Sequence, residues 1–155
     1  KYKHIAGRLS FLPYGACVDH FQHWVYENYE ATPKERNQRW LDLESIYLPD
    51  RDYDDLHFPK TGGIWQGQLH IYQMPFYYID YTLAQTCAFQ FWITNQQDSE
   101  KAWKDYVHLC NAGGSQSFTK LVALAGLKLP FDDGCLEDVV EHVSKWLDKV
   151  DPNKL

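Results

Sequence analysis

Apolar residues recur along most of this chain at intervals of three and four, the period of a helix with one buried side. Tyr14, Val18, Phe21 and Val25 make such a line, and Pro13 is placed to open a helix over residues 13–28. Residues 1–10 are basic and read as a frayed or connecting piece. Thr32-Pro33-Lys34-Glu35 predicts a capped start: threonine caps, proline suits the first helical position and glutamate completes a capping box. Trp40, Leu43 and Tyr47 follow as the apolar stripe, and Pro49 stops the helix. The acidic, turn-rich residues 50–60 read as an exposed loop. Trp65, Leu69 and Tyr72 predict a helix over residues 63–73, and Gly67 loosens it locally.

The second half continues in the same way. Pro75 is expected to open a helix reaching Thr94, with Leu83, Cys87 and Phe91 in line and Phe89, Trp92 and Ile93 adding apolar surface elsewhere. A helix apolar nearly all round is an interior helix, so this one is expected to be the central rod. Asp98 can cap a helix through Cys110, with Trp103, Tyr106, Val107 and Cys110 inward, and residues 111–114 supply the turn. Ser115 or Ser117 begins the next helix, through Ala125, with Phe118, Leu121 and Val122 on its apolar face. A last helix follows residues 132–134 and runs to Val150, with Leu136, Val139, Val140, Val143 and Leu147 buried, and Asp151-Pro152 ends the fold. No alternating strand pattern and no repeat is visible. The expected fold is an all-α bundle of about six or seven helices forming one domain over residues 1–155.

Composition narrows the function. The chain has 155 residues, 45% hydrophobic and 16% aromatic, enough for a core of its own. A net charge of −6 without a Lys/Arg cluster argues against nucleic acid and anionic membranes as partners. No apolar run approaches the ~20 residues of a membrane span. The four cysteines, at 17, 87, 110 and 135, contain no CxxC pair and read as reduced thiols of a cytoplasmic protein. The sequence opens on Lys1, as a fragment, a processed product or the ordered part of something longer would.

The chemistry concentrates in residues 69–91. His70, Met74, Tyr77, Tyr78 and Tyr81 fall at i, i+4, i+7, i+8 and i+11, one face if the stretch is helical. Pro75 lacks an N–H and disfavours helix before it, so a loop or kink is expected near Gln73 and Met74. A histidine at the bend with tyrosine hydroxyls beyond it would point donors into a common space, as a site for a peptide carbonyl or oxyanion requires. The same spacing also suits a buried aromatic seam. His20, His23 and Glu27 form a second stripe that could bind a divalent metal, or be polar groups on a half-exposed face.

Several segments carry a family resemblance. Phe11-Leu12-Pro13-Tyr14, Val18-Asp19-His20-Phe21-Gln22-His23-Trp24, Ala31-Thr32-Pro33-Lys34-Glu35-Arg36-Asn37, Gln68-Leu69-His70-Ile71-Tyr72 and Pro75-Phe76-Tyr77-Tyr78-Ile79-Asp80-Tyr81 resemble the C-terminal part of oligoendopeptidase F. The Gly113-Gly114-Ser115 turn and Pro130-Phe131 are also similar. That family of bacterial zinc oligopeptidases, related to thimet oligopeptidase, has a largely helical shell around a channel. Its zinc is bound by HExxH and a downstream glutamate. The resemblance implies catalytic, oxyanion-steadying roles for His70, Tyr78 and Tyr81, and substrate-binding roles for Tyr77 and His23. It makes the chain the C-terminal part of a catalytic domain within that shell.

The sequence departs from the family pattern in having no HExxH. Zn2+ is thus expected in the full-length enzyme, with ligands not in this chain, and no cofactor for this chain alone, which is predicted inactive by itself. His20 and Gly67 also depart from the pattern. The implied partners are a short peptide substrate and the missing N-terminal part of the same protein. Apolar surface left exposed by that missing part is open to homodimerisation. The competing expectation is a stand-alone, non-catalytic helical module that binds peptides or a protein partner.

Overall fold

The computed structural model describes residues 1–151, so the Pro152 half of the predicted stop lies outside the described residues. These residues form eight α-helices and one 3₁₀ turn, with no strand among them. The helices are α1 (Tyr2–Glu27), α2 (Pro33–Tyr47), α3 (His57–Lys60), α4 (Leu69–Gln73), α5 (Ile79–Gln97), α6 (Ser99–Ala112), α7 (Phe118–Leu124) and α8 (Cys135–Leu147). The all-helical expectation holds, and the count exceeds six or seven because α3 and α4 are single turns. No described helix is long and apolar enough to cross a membrane. The chain divides into two compact units, Ser10–Thr82 and Lys1–Leu9 with Leu83–Leu155.

Within Ser10–Thr82, Cys17, Val18, Phe21, Trp40, Leu43, Trp65 and Ile71 form the core. The Phe21 ring meets Trp40 edge-on at 5.3 Å and Trp65 at 5.1 Å, a favourable arrangement of ring quadrupoles. Trp65 also donates its indole N–H to Asn37 Oδ1 at 2.9 Å, fixing the 3₁₀ turn Ile64–Gly67 against α2. Gly62 makes that approach possible: its φ is +75°, and a Cβ there would lie 2.2 Å from the Asn37 carbonyl oxygen.

Two predictions about α1 need correction. Residues 1–10 are helical from Tyr2 onward, because Ile5, Leu9 and Leu12 make a second apolar line at i, i+4 and i+7, on another face from Tyr14, Val18 and Phe21, with Ile5 and Leu12 buried. Pro13 therefore lies inside the helix rather than opening it. An interior proline costs about 3 kcal/mol through its missing N–H and ring clash. The buried residues that follow it, Cys17, Val18 and Phe21, offset that cost. The α2 start is as predicted: Glu35 N–H donates to Thr32 Oγ1 at 3.3 Å, and Thr32 N–H to Glu35 Oε2 at 2.8 Å. Thr32→Ala is expected to cost about 1 kcal/mol, a fall of about 3 °C in Tm by circular dichroism.

The predicted helix over residues 63–73 is split. Gln68 is extended (φ −88°, ψ 92°) between the 3₁₀ turn and α4, a break next to Gly67, which lowers helical stability there. The predicted exposed loop over residues 50–60 contains α3, and its Arg51 and Tyr53 turn back onto buried Glu44 at 3.2 and 2.6 Å.

In the other unit, Phe89, Ala102, Val122, Ala125, Cys135, Val139 and Val143 are buried. The Gln90 side chain grips the backbone of Lys128 at both ends, with bonds of 3.0 and 2.9 Å. Three predicted faces need correction. The α5 helix is not an interior rod: Thr86 and Phe89 are buried, while Cys87, Phe91, Trp92 and Ile93 are half-buried. An apolar groove of about 330 Å³ beside Ala84, Cys87 and Phe91, walled by α6 and α7, leaves that flank uncovered.

The α6 helix packs through small Ala102, with Leu109 half-buried on the same side. Trp103, Tyr106, Val107 and Cys110 are exposed, and Tyr106 covers Phe91 edge-on at 5.7 Å. The α8 helix ends at Leu147 and buries the single i, i+4, i+8 line Cys135, Val139 and Val143. Leu136 and Val140 stay exposed on its flank, and Leu147 is half-buried. Of the exposed large apolar side chains in this unit, Trp103 and Phe131 are the most exposed, at 66% and 65%.

Candidate functional site

The candidate site lies wholly within Ser10–Thr82. His70 stands on the first turn of α4, which closes when Met74 N–H bonds the His70 carbonyl at 2.9 Å. Met74 then leaves the helical region (φ −139°, ψ 66°), which a following proline disfavours. Phe76 takes a left-handed conformation at φ +61°, a strained choice for a bulky side chain that surrounding contacts must impose. Its ring is held by His23 at 4.8 Å and Tyr26 at 4.9 Å on α1. Pro75 therefore does not open a helix, because the left-handed residue after it reverses the chain. The α5 helix begins at Ile79 instead, entered through tight bonds from Asp80 to Tyr77 and from Tyr81 to Tyr78.

That turn brings the predicted residues together without a continuous helical face. The His70 ring is stacked 6.4 Å from Tyr77 and meets Tyr78 and Tyr81 near edge-on at 5.0 and 5.6 Å. Tyr81 lies 5.4 Å from Tyr77 and 5.5 Å from Tyr78. The Tyr81 hydroxyl is 3.4 Å from His70 Nε2. Tyr77 and Tyr81 are 41% and 42% exposed. Tyr78 is half-buried against Phe11 and Tyr14. Burial pushes its hydroxyl above the usual range, and Tyr81 beside it adds to this. Partial dehydration and then the Tyr77 hydroxyl push Tyr81 in the same direction. Both stay protonated at neutral pH, and a neutral phenol donates. The cluster therefore gathers three phenol rings around the His70 imidazole, two of them on exposed residues.

Behind His70 stands a second layer that sequence reasoning missed. Gln68 Nε2 lies 2.8 Å from His70 Nδ1, and Tyr14 donates its hydroxyl to Gln68 Oε1 at 3.0 Å. The Arg51 guanidinium lies over the Tyr14 ring at 5.6 Å and pairs with Glu44 at 3.2 Å. No local spacing could reveal this chain of contacts, because Tyr14 and Gln68 are 54 residues apart.

Burial drives the Tyr14 hydroxyl up to about 12, with Tyr78 adding to it and Arg51 opposing. Burial also drives the Cys17 thiol to about 12. Folded-state values raised above the unfolded ones mean that the folded form holds these protons longer. Stability is complete below pH ~9 and is lost as pH rises towards 12, by on the order of a few kcal/mol after solvent screening of the partly exposed phenol. Urea midpoints measured from pH 8 to 11 are expected to fall, and Tyr14→Phe to flatten the upper part of that fall.

His23 lies on α1 with Asp19 Oδ2 3.5 Å from its Nε2 and its ring on Phe76, so it bears on the tip of the turn. His20 is engaged elsewhere: Arg39 donates to its Nε2 at 3.2 Å, and its Nδ1 is 3.1 Å from the Tyr47 hydroxyl. Among the described residues no three His, Cys, Asp or Glu side chains are grouped to hold a metal ion.

The family model for peptidase family M3 matches residues 3–141. A solved oligoendopeptidase F structure is 55% identical over 99% of this chain and 27% of its own, with a TM-score of 0.95. Pz peptidase A, solved with an inhibitor, is 53% identical over 97% of this chain and 27% of its own, with a TM-score of 0.93. An oligoendopeptidase F from Bacillus anthracis str. Ames is 44% identical over 99% of this chain and 24% of its own, with a TM-score of 0.81. The chain thus spans about a quarter of the length of these structures. No curated protein matches it.

Proposed function

Because this chain belongs to peptidase family M3, we propose that it is the substrate-binding and transition-state-stabilising part of a zinc oligoendopeptidase that hydrolyses short peptides. The observation that carries this reading is the packing of Tyr77, Tyr78 and Tyr81 around the His70 ring, with Tyr77 and Tyr81 exposed. When water adds to a peptide carbonyl, negative charge develops on its oxygen. Donors already in place stabilise that charge without reorganising. His70, Tyr78 and Tyr81 take this role. Tyr77 and His23 contact the bound peptide, Tyr77 from the rim of the cluster and His23 beside Phe76.

In this reading Zn2+ and the general base belong to residues outside this chain, which joins the preceding part of the same protein. The relatives' much greater length supports that arrangement. A cytoplasmic setting, acting on short peptides, belongs to the same proposal.

Tyr81→Phe tests the reading, because it removes one hydroxyl and keeps the ring. In the intact enzyme, kcat is expected to fall about 100-fold while KM changes little, the signature of an interaction made in the transition state. Unchanged kcat removes Tyr81 from the oxyanion role. Tight peptide binding with no hydrolysis by the full-length protein would favour a binding module instead.

A further inference from the structure

We propose that Gln68 is a positioning residue that decides which His70 nitrogen carries the proton, and that Tyr14 holds Gln68 in the orientation that does so. The inference rests on the reading of His70 as a donor to substrate and states how the fold makes it one. The Gln68 Nε2 that lies 2.8 Å from His70 Nδ1 can only donate. Nδ1 must therefore accept, and in the neutral ring the proton resides on Nε2. Nε2 is the nitrogen beside the Tyr81 hydroxyl, on the side where the tyrosines converge. Histidines held from behind by a carboxylate or carbonyl carry the proton on Nδ1 and offer the front nitrogen as a base or ligand. An amide N–H in that place reverses the polarity and leaves a front nitrogen that donates.

The amide orientation has its own cause. Gln68 Oε1 accepts from the Tyr14 hydroxyl at 3.0 Å. The Arg51 cation over the Tyr14 ring, itself anchored on buried Glu44, draws electron density from the phenol. A phenol under a cation donates more readily than it accepts, which favours Tyr14 O–H to Oε1 over the flipped amide. The groups facing His70 are the rings of Tyr77, Tyr78 and Tyr81, together with half-buried Gln68.

Nitrogen NMR of 15N-histidine-labelled protein reads this directly at about pH 8, where imidazoles are mostly neutral. His70→Ala identifies the signals. The expected wild-type pattern is a pyrrole-like Nε2 and a pyridine-like Nδ1. Gln68→Glu, whose carboxylate only accepts, should invert the pattern. Gln68→Met should give a mixture, and Tyr14→Phe should move the wild type towards one. A pyrrole-like Nδ1 in the wild type, or an unchanged pattern in Gln68→Met, overturns the proposal. In the full-length enzyme, Gln68→Glu is expected to lower kcat about 100-fold with little change in KM. If the nitrogen pattern inverts but turnover is untouched, the tautomer assignment stands and the reading of His70 as a substrate donor falls.

Discussion

Replacing His70 with alanine is expected to lower kcat of the full-length peptidase by about 100- to 1,000-fold, with KM changed far less. The loss should exceed that of Tyr81→Phe, because His70 does two things at once. It supplies an N–H of its own, and its ring touches Tyr77, Tyr78 and Tyr81 at 6.4, 5.0 and 5.6 Å. Without that ring the exposed Tyr77 and Tyr81 lose the surface that aligns them. The double variant His70→Ala/Tyr81→Phe should therefore be no more than slightly worse than His70→Ala alone, since groups acting as one unit are not additive. His70 is only half-buried, so the variant should fold, and a native circular dichroism spectrum beside the kinetic loss separates chemistry from unfolding. Strictly additive losses would mean that the two side chains act separately.

Trp40→Ala is expected to cost about 3–5 kcal/mol of stability, a large part of the ~5–15 kcal/mol typical of a folded domain. Trp40 is fully buried, with Phe21 edge-on at 5.3 Å and Tyr14 at 6.3 Å. Removing the indole opens a cavity between α1 and α2 and takes away the surface on which Tyr14 leans. Urea unfolding should show the midpoint falling without a change of slope. Trp40→Phe keeps most of the volume and removes a buried indole N–H without a partner among the described residues, so it should cost much less. An alanine variant within 1 kcal/mol of wild type would show that this core collapses around the gap.

The sequence carried the fold class and the capped elements because those signals are local. Thr32 and Glu35 are three residues apart, and Asp98 caps Lys101 N–H at 2.9 Å. Burial was harder to read, because an apolar stripe shows which faces could be covered and the neighbouring elements decide which ones are. Trp103, Tyr106 and Val107 form a good stripe, yet the helix docks through Ala102. At the site, the spacing and the resemblance pointed to His70, Tyr77, Tyr78 and Tyr81, whereas the geometry that unites them depends on a left-handed phenylalanine no propensity favours. Gln68 and Tyr14 stayed hidden because their partnership is long-range.

The reversal at Phe76 also bears on how this region can change length. Each residue added within a helix swings everything beyond it by about 100°, so one insertion between His70 and Tyr77 in a continuous helix would send the tyrosines to another side. In the bend at residues 74–78, an added residue can bulge outward while α4 and the start of α5 keep their places. Insertions there should be tolerated, and a graded series of loop lengths would vary the gap in front of the imidazole without turning the hydroxyls away from it.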